Sequence, residues 1–253
     1  MATDSVDYVF KWANEADEKF IEDLLLVERT VFGGFDYELI KRKHIDNIYG
    51  PSLLAVAYLN GKPVGVDTMM RNDLFGRKAY ETCDTCVLEE CRGKGVFSTI
   101  TKKEIEIIGP DIPIYGFPNH NSFPGYVKMG WDVRYKIYPA IFFSARRYNK
   151  EFPQIIDVEY AKWLSHASSD FRHMKIGNNY YLVTLTRRKH AKVVGRLGKE
   201  TSCIFPRISR WRIINYSSRN KRFYNKDKYH GSLITYDKNA IDIPQWKSDG
   251  FIN

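Results

Sequence analysis

One run in the first half restricts the fold more than any other feature: Val87-Leu88-Glu89-Glu90-Cys91-Arg92-Gly93-Lys94-Gly95-Val96-Phe97-Ser98. Ahead of it, Lys78 to Leu88 carries Thr, Cys and Val with no Gly or Pro and reads as a strand. After it, Val96, Phe97, Ile100, Ile105, Ile107 and Ile108 recur at roughly helical spacing until Gly109-Pro110 stops them. A strand, a basic glycine loop and a helix in that order aim several backbone N–H groups and a helix N-terminus at one small volume. Such a volume suits an anion, because unpaired amides donate there and the helix dipole is positive. The glycines let the backbone approach a ligand closely, while Arg92 and Lys94 add charge. The spacing fits neither the P-loop, which needs a Gly-Lys-Ser/Thr ending, nor the full dinucleotide fingerprint. A plain tight turn is the competing reading.

Around this run the chain alternates strands and helices. Val6, Tyr8, Phe10 and Trp12 alternate with polar residues as a first strand. Two helices are predicted over Glu15 to Phe32 and Asp36 to Ile48, parted by Gly33-Gly34. Leu53 to Leu59, a turn at Asn60-Gly61 and Pro63 to Met70 give a hairpin. Beyond the loop and its helix, Ile112 to Gly116 reads as a short buried strand. Asn121 to Met129 then reads as a short helix and Asp132 to Phe143 as a closing strand.

A second motif lies in this part: Ile114-Tyr115-Gly116-Phe117-Pro118-Asn119, then Tyr126-Val127-Lys128-Met129-Gly130-Trp131. Together the two stretches resemble the GNAT superfamily of acyl-CoA N-acyltransferases. The family's pyrophosphate loop reads Gln/Arg-x-x-Gly-x-Gly/Ala, and Arg92 to Phe97 matches all but the last position. Its later motif, Asn and then Tyr-x-Lys-Leu-Gly-Phe, is matched by Asn119 and by Tyr126 to Trp131. The element order is also that family's through about residue 145. The resemblance therefore implies an α/β (α+β) fold, a mixed sheet with helices on both faces, as a catalytic domain over 1–150. A smaller basic α+β part would cover 151–253.

What the resemblance implies about chemistry is transfer of an acetyl group from acetyl-CoA, the co-substrate, to a primary amine. Arg92, Gly93, Lys94, Gly95, Val96 and Phe97 would hold the pyrophosphate, largely through backbone N–H groups. Phe97 replaces the usual small residue, so its ring must turn into the core or crowd the phosphates; Glu89 and Cys91 depart from the usual proline and aromatic. Backbone amide at Val87 or Leu88 would polarise the thioester carbonyl. Tyr126 would serve the leaving thiolate, against the bland reading of an aromatic packed on a short helix. Asn119 would bridge backbone or cofactor, or simply cap its loop. Glu81, six residues before Val87 and so expected on the same strand face, is the candidate base, with Asp84 its competitor on the other face. A solvated strand residue is the alternative for Glu81.

No metal is expected. Cys83-x-x-Cys86 lies within a strand, where residues three apart face opposite sides, and the six histidines form no spaced cluster. The four cysteines form no disulfide framework. No stretch approaches the roughly 20 apolar residues of a membrane span. The acidic N-terminus lacks a signal peptide's basic start and apolar run, so a cytoplasmic protein is expected.

Charge divides the chain. Through Lys150 there are 20 Lys and Arg against 21 Asp and Glu; from Glu151 onward, 19 against 9, which holds the whole excess. Tyr160 to Leu164 begins a helix, Asn179 to Thr186 and Ala191 to Val194 read as strands, and no second glycine loop occurs. This half is either a degenerate unit of the same fold or a family-specific extension. The Tyr-Gly-Phe-Pro-Asn variant with Ser122 resembles members that modify surface polysaccharides and amino sugars. An amino sugar or nucleotide-linked amino sugar is therefore the expected acceptor, with the basic half on its side; a protein-lysine or small-amine acceptor is the alternative. From another class, Arg187-Arg188-Lys189, Arg207, Arg210, Trp211, Arg212 and Arg219 to Lys228 interleave aromatics and charge as single-strand binders do, though no nucleic-acid motif is present. A fold that binds CoA without catalysis is the third option.

Overall fold

The computed structural model describes residues 5–140, 145–167, 170–185, 191–209, 213–217, 231–236 and 243. The first elements are β1 (Val6–Trp12), α1 (Glu18–Val31), α2 (Tyr37–Ile40), β2 (Leu53–Leu59), β3 (Lys62–Arg71) and β4 (Tyr80–Val87). There follow α3 (Val96–Ile108), β5 (Ile114–Gly116), α4 (Phe123–Lys128), β6 (Asp132–Ala140), α5 (Ala145–Glu151), β7 (Ile155–Ile156) and α6 (Val158–Ala167). The last are β8 (Phe171–Ile176), β9 (Asn179–Leu185), β10 (Ala191–Leu197), α7 (Lys199–Ser202), β11 (Ile213–Ser217) and β12 (Gly231–Thr235). Two compact units divide the chain: 1–134 with 234–241, and 135–233 with 242–253.

In the first unit β1, β2, β3 and β4 pair antiparallel in sequence order. Asn60 and Gly61 both take positive φ, 52° and 73°, as the expected two-residue hairpin turn requires. β4 then pairs parallel with β5, and Ile234 and Thr235 of β12 pair antiparallel with β5. Helices cover both faces. α1 starts where Asp17 accepts the Phe20 amide and ends against Gly33, whose φ is 68°. Its buried stripe of Phe20, Ile21, Leu24 and Val27 meets Leu54, Val56, Val66 and Cys86. Fully burying a side chain such as Leu24 contributes about 1.5–3 kcal/mol. α2 runs into a π-helical turn over Lys41–Ile45, shorter than the helix predicted to Ile48.

The opposite face is closed by α3 and α4. Val96 and Ile100 pack on Ala55, Ala57, Val64 and Val87, and Tyr126 and Trp131 on Leu53, Met69 and Tyr80. The approach is tight: a Cβ on Gly65 of β3 would lie 2.9 Å from a Val96 methyl.

In the second unit β8, β9 and β10 form an antiparallel meander, and β10 pairs parallel with β11, as β4 does with β5. β6 pairs antiparallel with β11. Tyr148, Phe152, Met174, Tyr181, Val183, Ala191 and Val193 form its core. The strand β8 went unread in the sequence because Arg172, His173 and Lys175 interrupt its apolar positions. The basic runs Arg187-Arg188-Lys189, Arg210-Trp211-Arg212 and Arg219 to Lys228 lie outside the described residues.

Candidate active site

β4 places the candidate site, and it does so through a bulge. Thr68 of β3 faces Cys83 of β4, while Val66 faces Cys86. Two steps on one strand thus answer three on the other, with Asp84 at φ 51° as the extra residue. Past the bulge the alternation of faces resets. Thr82 and Thr85, three apart, both bond the Tyr126 hydroxyl, at 2.7 and 3.1 Å. Val87 follows on that face, against Val96 and Ile100.

Two expectations fall with the simple two-residue period. Glu81 is on the face away from Val87; it is 0% exposed, and its Oε2 accepts from Asn72 Nδ2 at 2.9 Å. It is therefore no solvated strand residue either. Cys83 and Cys86 share one face, yet Cys83 Sγ sits 3.1 Å from Thr68 Oγ1 while Cys86 packs in the α1 core.

The β4–β5 ladder runs only from Tyr80–Ile114 to Thr82–Gly116, and beyond it the edge of β4 is released. The strands come close at their last pair, since a Cβ on Gly116 would lie 2.6 Å from Thr82 Cγ2. Leu88 does not offer its amide here: that N–H donates to the Val64 carbonyl at 2.9 Å. In an antiparallel ladder the neighbouring residue points the other way, so Val87 turns its N–H and C=O to the released edge. The Val87 carbonyl accepts Arg92 Nε at 3.1 Å.

The loop then opens to solvent. Gly93 and Gly95 have φ of 76° and 81°, and Arg92 through Gly95 are exposed. Nothing lies within 4 Å of a Cβ on Gly93, so glycine is needed for its backbone conformation and not for space. Gly95 is the residue before α3, no side chain caps the helix, and its first turn holds no acid. The first amides of a 13-residue helix are thereby left for a ligand. Phe97 does not crowd this site. Its ring turns inward, edge-on to Tyr126 at 5.0 Å, into the space left by Gly125, whose Cβ would lie 2.4 Å from it.

Tyr126 is fully buried, between Phe97 and Trp131, and its hydroxyl stands where the β4–β5 ladder stops. Burial and then the Asp67 charge push its pKa well above the usual phenol value. Asn119 is exposed; its Oδ1 accepts the amides of Asn121 and Ser122, which makes it the cap of the turn into α4.

Two buried polar groups were not read from the sequence. On the α3 face, Asp67 accepts from Thr85, Thr101 and the Thr68 amide, with Thr82 Oγ1 3.3 Å away, and burial raises its carboxyl to about 6. Glu104, raised well above its usual value by burial and then by Asp67, lies beside it. On the α1 face, Lys43 Nζ sits 2.6 Å and His44 Nε2 3.3 Å from Asp84 Oδ2. Burial opposes the Asp84 charge, but Lys43 and His44 outweigh it and hold the carboxyl below the usual range. Glu28 beside them is raised well above its usual value by burial, then by Asp84. His44, Cys83 and Asp84 bring three ligand-type atoms within 4.8 Å of one another. Lys43 already supplies the positive charge there. A lone carboxylate such as Asp67 inside an apolar strand was the available signal.

No protein-family model matches the chain, and no curated protein does. Solved structures match it. A GCN5-related N-acetyltransferase from Kribbella flavida shares 12% identity at a TM-score of 0.50, covering 90% of this chain and 71% of that one. A candidate acetyltransferase from Pyrococcus horikoshii shares 11% at 0.53, covering 90% and 88%. The fold is that of the GNAT acetyltransferases. In that fold's terms, the loop, the uncapped α3 and the parting of β4 from β5 occupy one end of the sheet, at the carboxyl end of β4, where ligands of open α/β sheets sit. Among the described residues no helix is long and apolar enough to cross a membrane.

Proposed function

We propose that the protein is an N-acetyltransferase moving an acetyl group from acetyl-CoA to a primary amine, with an amino sugar or nucleotide-linked amino sugar as acceptor. The observation that carries this reading is the exposed Arg92-Gly93-Lys94-Gly95 turn leading into an uncapped helix beside a released strand edge. Arg92 to Phe97 would hold the pyrophosphate by backbone N–H groups, and the pantetheine arm would follow the edge of β4. The Val87 amide would polarise the thioester carbonyl, and Tyr126 would meet the departing sulfur. Glu81, buried under Asn72 and off the Val87 face, is poorly placed as base, so the amine's proton goes to water. The amino-sugar acceptor rests on the Tyr115 to Ser122 variant, and its anionic carrier on the basic second half.

The test is binding followed by turnover. Saturating acetyl-CoA should raise the melting temperature, by about 2.7 kcal/mol of stabilisation at one hundred times Kd. Gly95→Val, strained at φ 81°, should remove that rise while leaving a folded protein. Thiol release across amino sugars, lysine peptides and small amines then assigns the acceptor. An unmoved melting curve at millimolar CoA would sink the reading.

A further inference from the structure

Tyr126 ends a chain of buried groups that begins at two carboxyls. Asp67 Oδ1 takes Thr85 Oγ1 at 2.6 Å and the Thr68 amide at 2.9 Å, with Thr82 Oγ1 3.3 Å away; Oδ2 takes Thr101 Oγ1 at 2.8 Å. Glu104, one helical turn after Thr101, is 0% exposed, and no donor among the described residues reaches its carboxyl oxygens. Two such carboxyls close together do not both ionise readily, so Glu104, raised by burial and then by the Asp67 charge, keeps its proton. Among the described residues no cation reaches the pair; the titratable groups facing it are Tyr126 from α4 and, across β4, Cys86.

This arrangement dictates where hydroxyl protons point. Thr85 makes its shortest contact with the carboxylate and donates there. Thr82 is 2.7 Å from the Tyr126 oxygen but 3.3 Å from Asp67, so it donates to the phenol. The phenol oxygen is thereby occupied from behind. Its own hydrogen rests on Thr85 Oγ1 at 3.1 Å, a long bond from which an acceptor at the end of the β4–β5 ladder would draw it. A phenolate there would face the Asp67 charge in a buried setting, which keeps Tyr126 protonated.

We propose that Asp67 is a positioning residue: through Thr82 and Thr85 it aims the Tyr126 hydrogen at the leaving sulfur and keeps the phenol neutral. Tyr126 then stabilises the thiolate by a hydrogen bond and does not lose its proton. The inference rests on the acetyl-transfer reading above. In that reaction the amine nitrogen bonds the acetyl carbon, the C–S bond breaks with its electron pair going to sulfur, and the nitrogen's surplus proton passes to water.

The test uses CoA itself, so it does not depend on finding the acceptor. The thiol of bound CoA is titrated by its thiolate absorbance in the wild type, Tyr126→Phe, Asp67→Asn and the double variant. Tyr126→Phe should raise the thiol titration by about one pH unit, the size of one charge-assisted hydrogen bond. Asp67→Asn should reproduce most of that shift, and the double variant should add nothing, since the residues act in series. Thr85→Val, close in volume, should act like Asp67→Asn, whereas Thr85→Ser should leave the titration unchanged. If CoA binds and Asp67→Asn leaves the titration unmoved, or if the two shifts add, the inference is wrong while the binding reading stands. If CoA does not bind, both fall. With an acceptor in hand, Asp67→Asn should lower kcat about tenfold at constant acetyl-CoA KM.

Discussion

On the α1 face of β4, Asp84 is buried against the Lys43 ammonium and the His44 ring; on the α3 face, Asp67 is buried among threonine hydroxyls with no cation among the described residues. Both carboxylates are nearly or fully inaccessible, and they titrate in opposite directions, Asp84 downward and Asp67 up to about 6. The bulge at Asp84 separates them: it turns one side chain to the π-helical turn and brings Thr85 round to join Thr82 on the other side. Counter-charge makes the first face a strut. Neutral donors make the second a place where hydrogen bonds can be aimed. The difference teaches that burial alone does not say what an acid is for; the charge of its partner does.

The sharpest way to break this comparison is to remove a partner from each face. Lys43→Met should leave Asp84 buried with only the His44 ring beside it, costing about 3 kcal/mol in urea unfolding. Asp67→Asn, which removes a charge but leaves hydrogen-bonding capacity, should change stability by about 1 kcal/mol or less in either direction. Equal costs would mean that the two faces are alike after all.

A smaller effect tests the packing that holds Tyr126. Gly125→Ala places a methyl 2.4 Å from the Phe97 ring and should cost about 1–3 kcal/mol. Phe97→Ala in the same chain should recover much of that, because the two positions share one space. Strictly additive losses would separate Phe97 from Gly125 and loosen the account of the inward-turned ring.

The smallest effect is in pH. Asp67 is raised from 3.8 to about 6, so the folded state holds its proton more tightly than the unfolded chain. Its contribution is full below pH about 4 and is lost as pH rises through about 6. Asp84, lowered, contributes above pH about 4 and loses that contribution as pH falls. Unfolding measured at pH 4.5 and 7.5 should therefore show the wild type gaining on Asp67→Asn at the lower pH, on the order of 1 kcal/mol. No change in that difference would leave Asp67 with an ordinary titration.

Much of the first unit was legible because its signals are local. The alternation of β1, the Asn60-Gly61 turn, the Gly109 stop of α3 and the glycines of the loop each depend on a few adjacent residues and their φ preferences. The glycine turn into an uncapped helix, proposed above to hold the pyrophosphate, was legible for the same reason. The meander of the second unit was only partly so, since the half-buried Arg172 and His173 and the exposed Lys175 break the apolar alternation of β8, and its pairing with β9 is what marks it as a strand.

What the chain by itself determined, then, was the strand, the open turn and the uncapped helix that we propose receive a phosphate. Tertiary structure alone decided which face each β4 side chain takes. A period of two holds only while a strand has no extra residue, and the bulge at Asp84 moved Glu81 away from Val87 and joined Thr82 to Thr85. Tertiary structure also decided that the Leu88 amide belongs to the sheet and that Gly125 makes room for Phe97. The buried acids were likewise settled there. Whether a carboxyl holds a charge depends on what the fold brings within hydrogen-bonding reach: Lys43, forty-one residues from Asp84, and Glu104 of α3 beside Asp67 of β3.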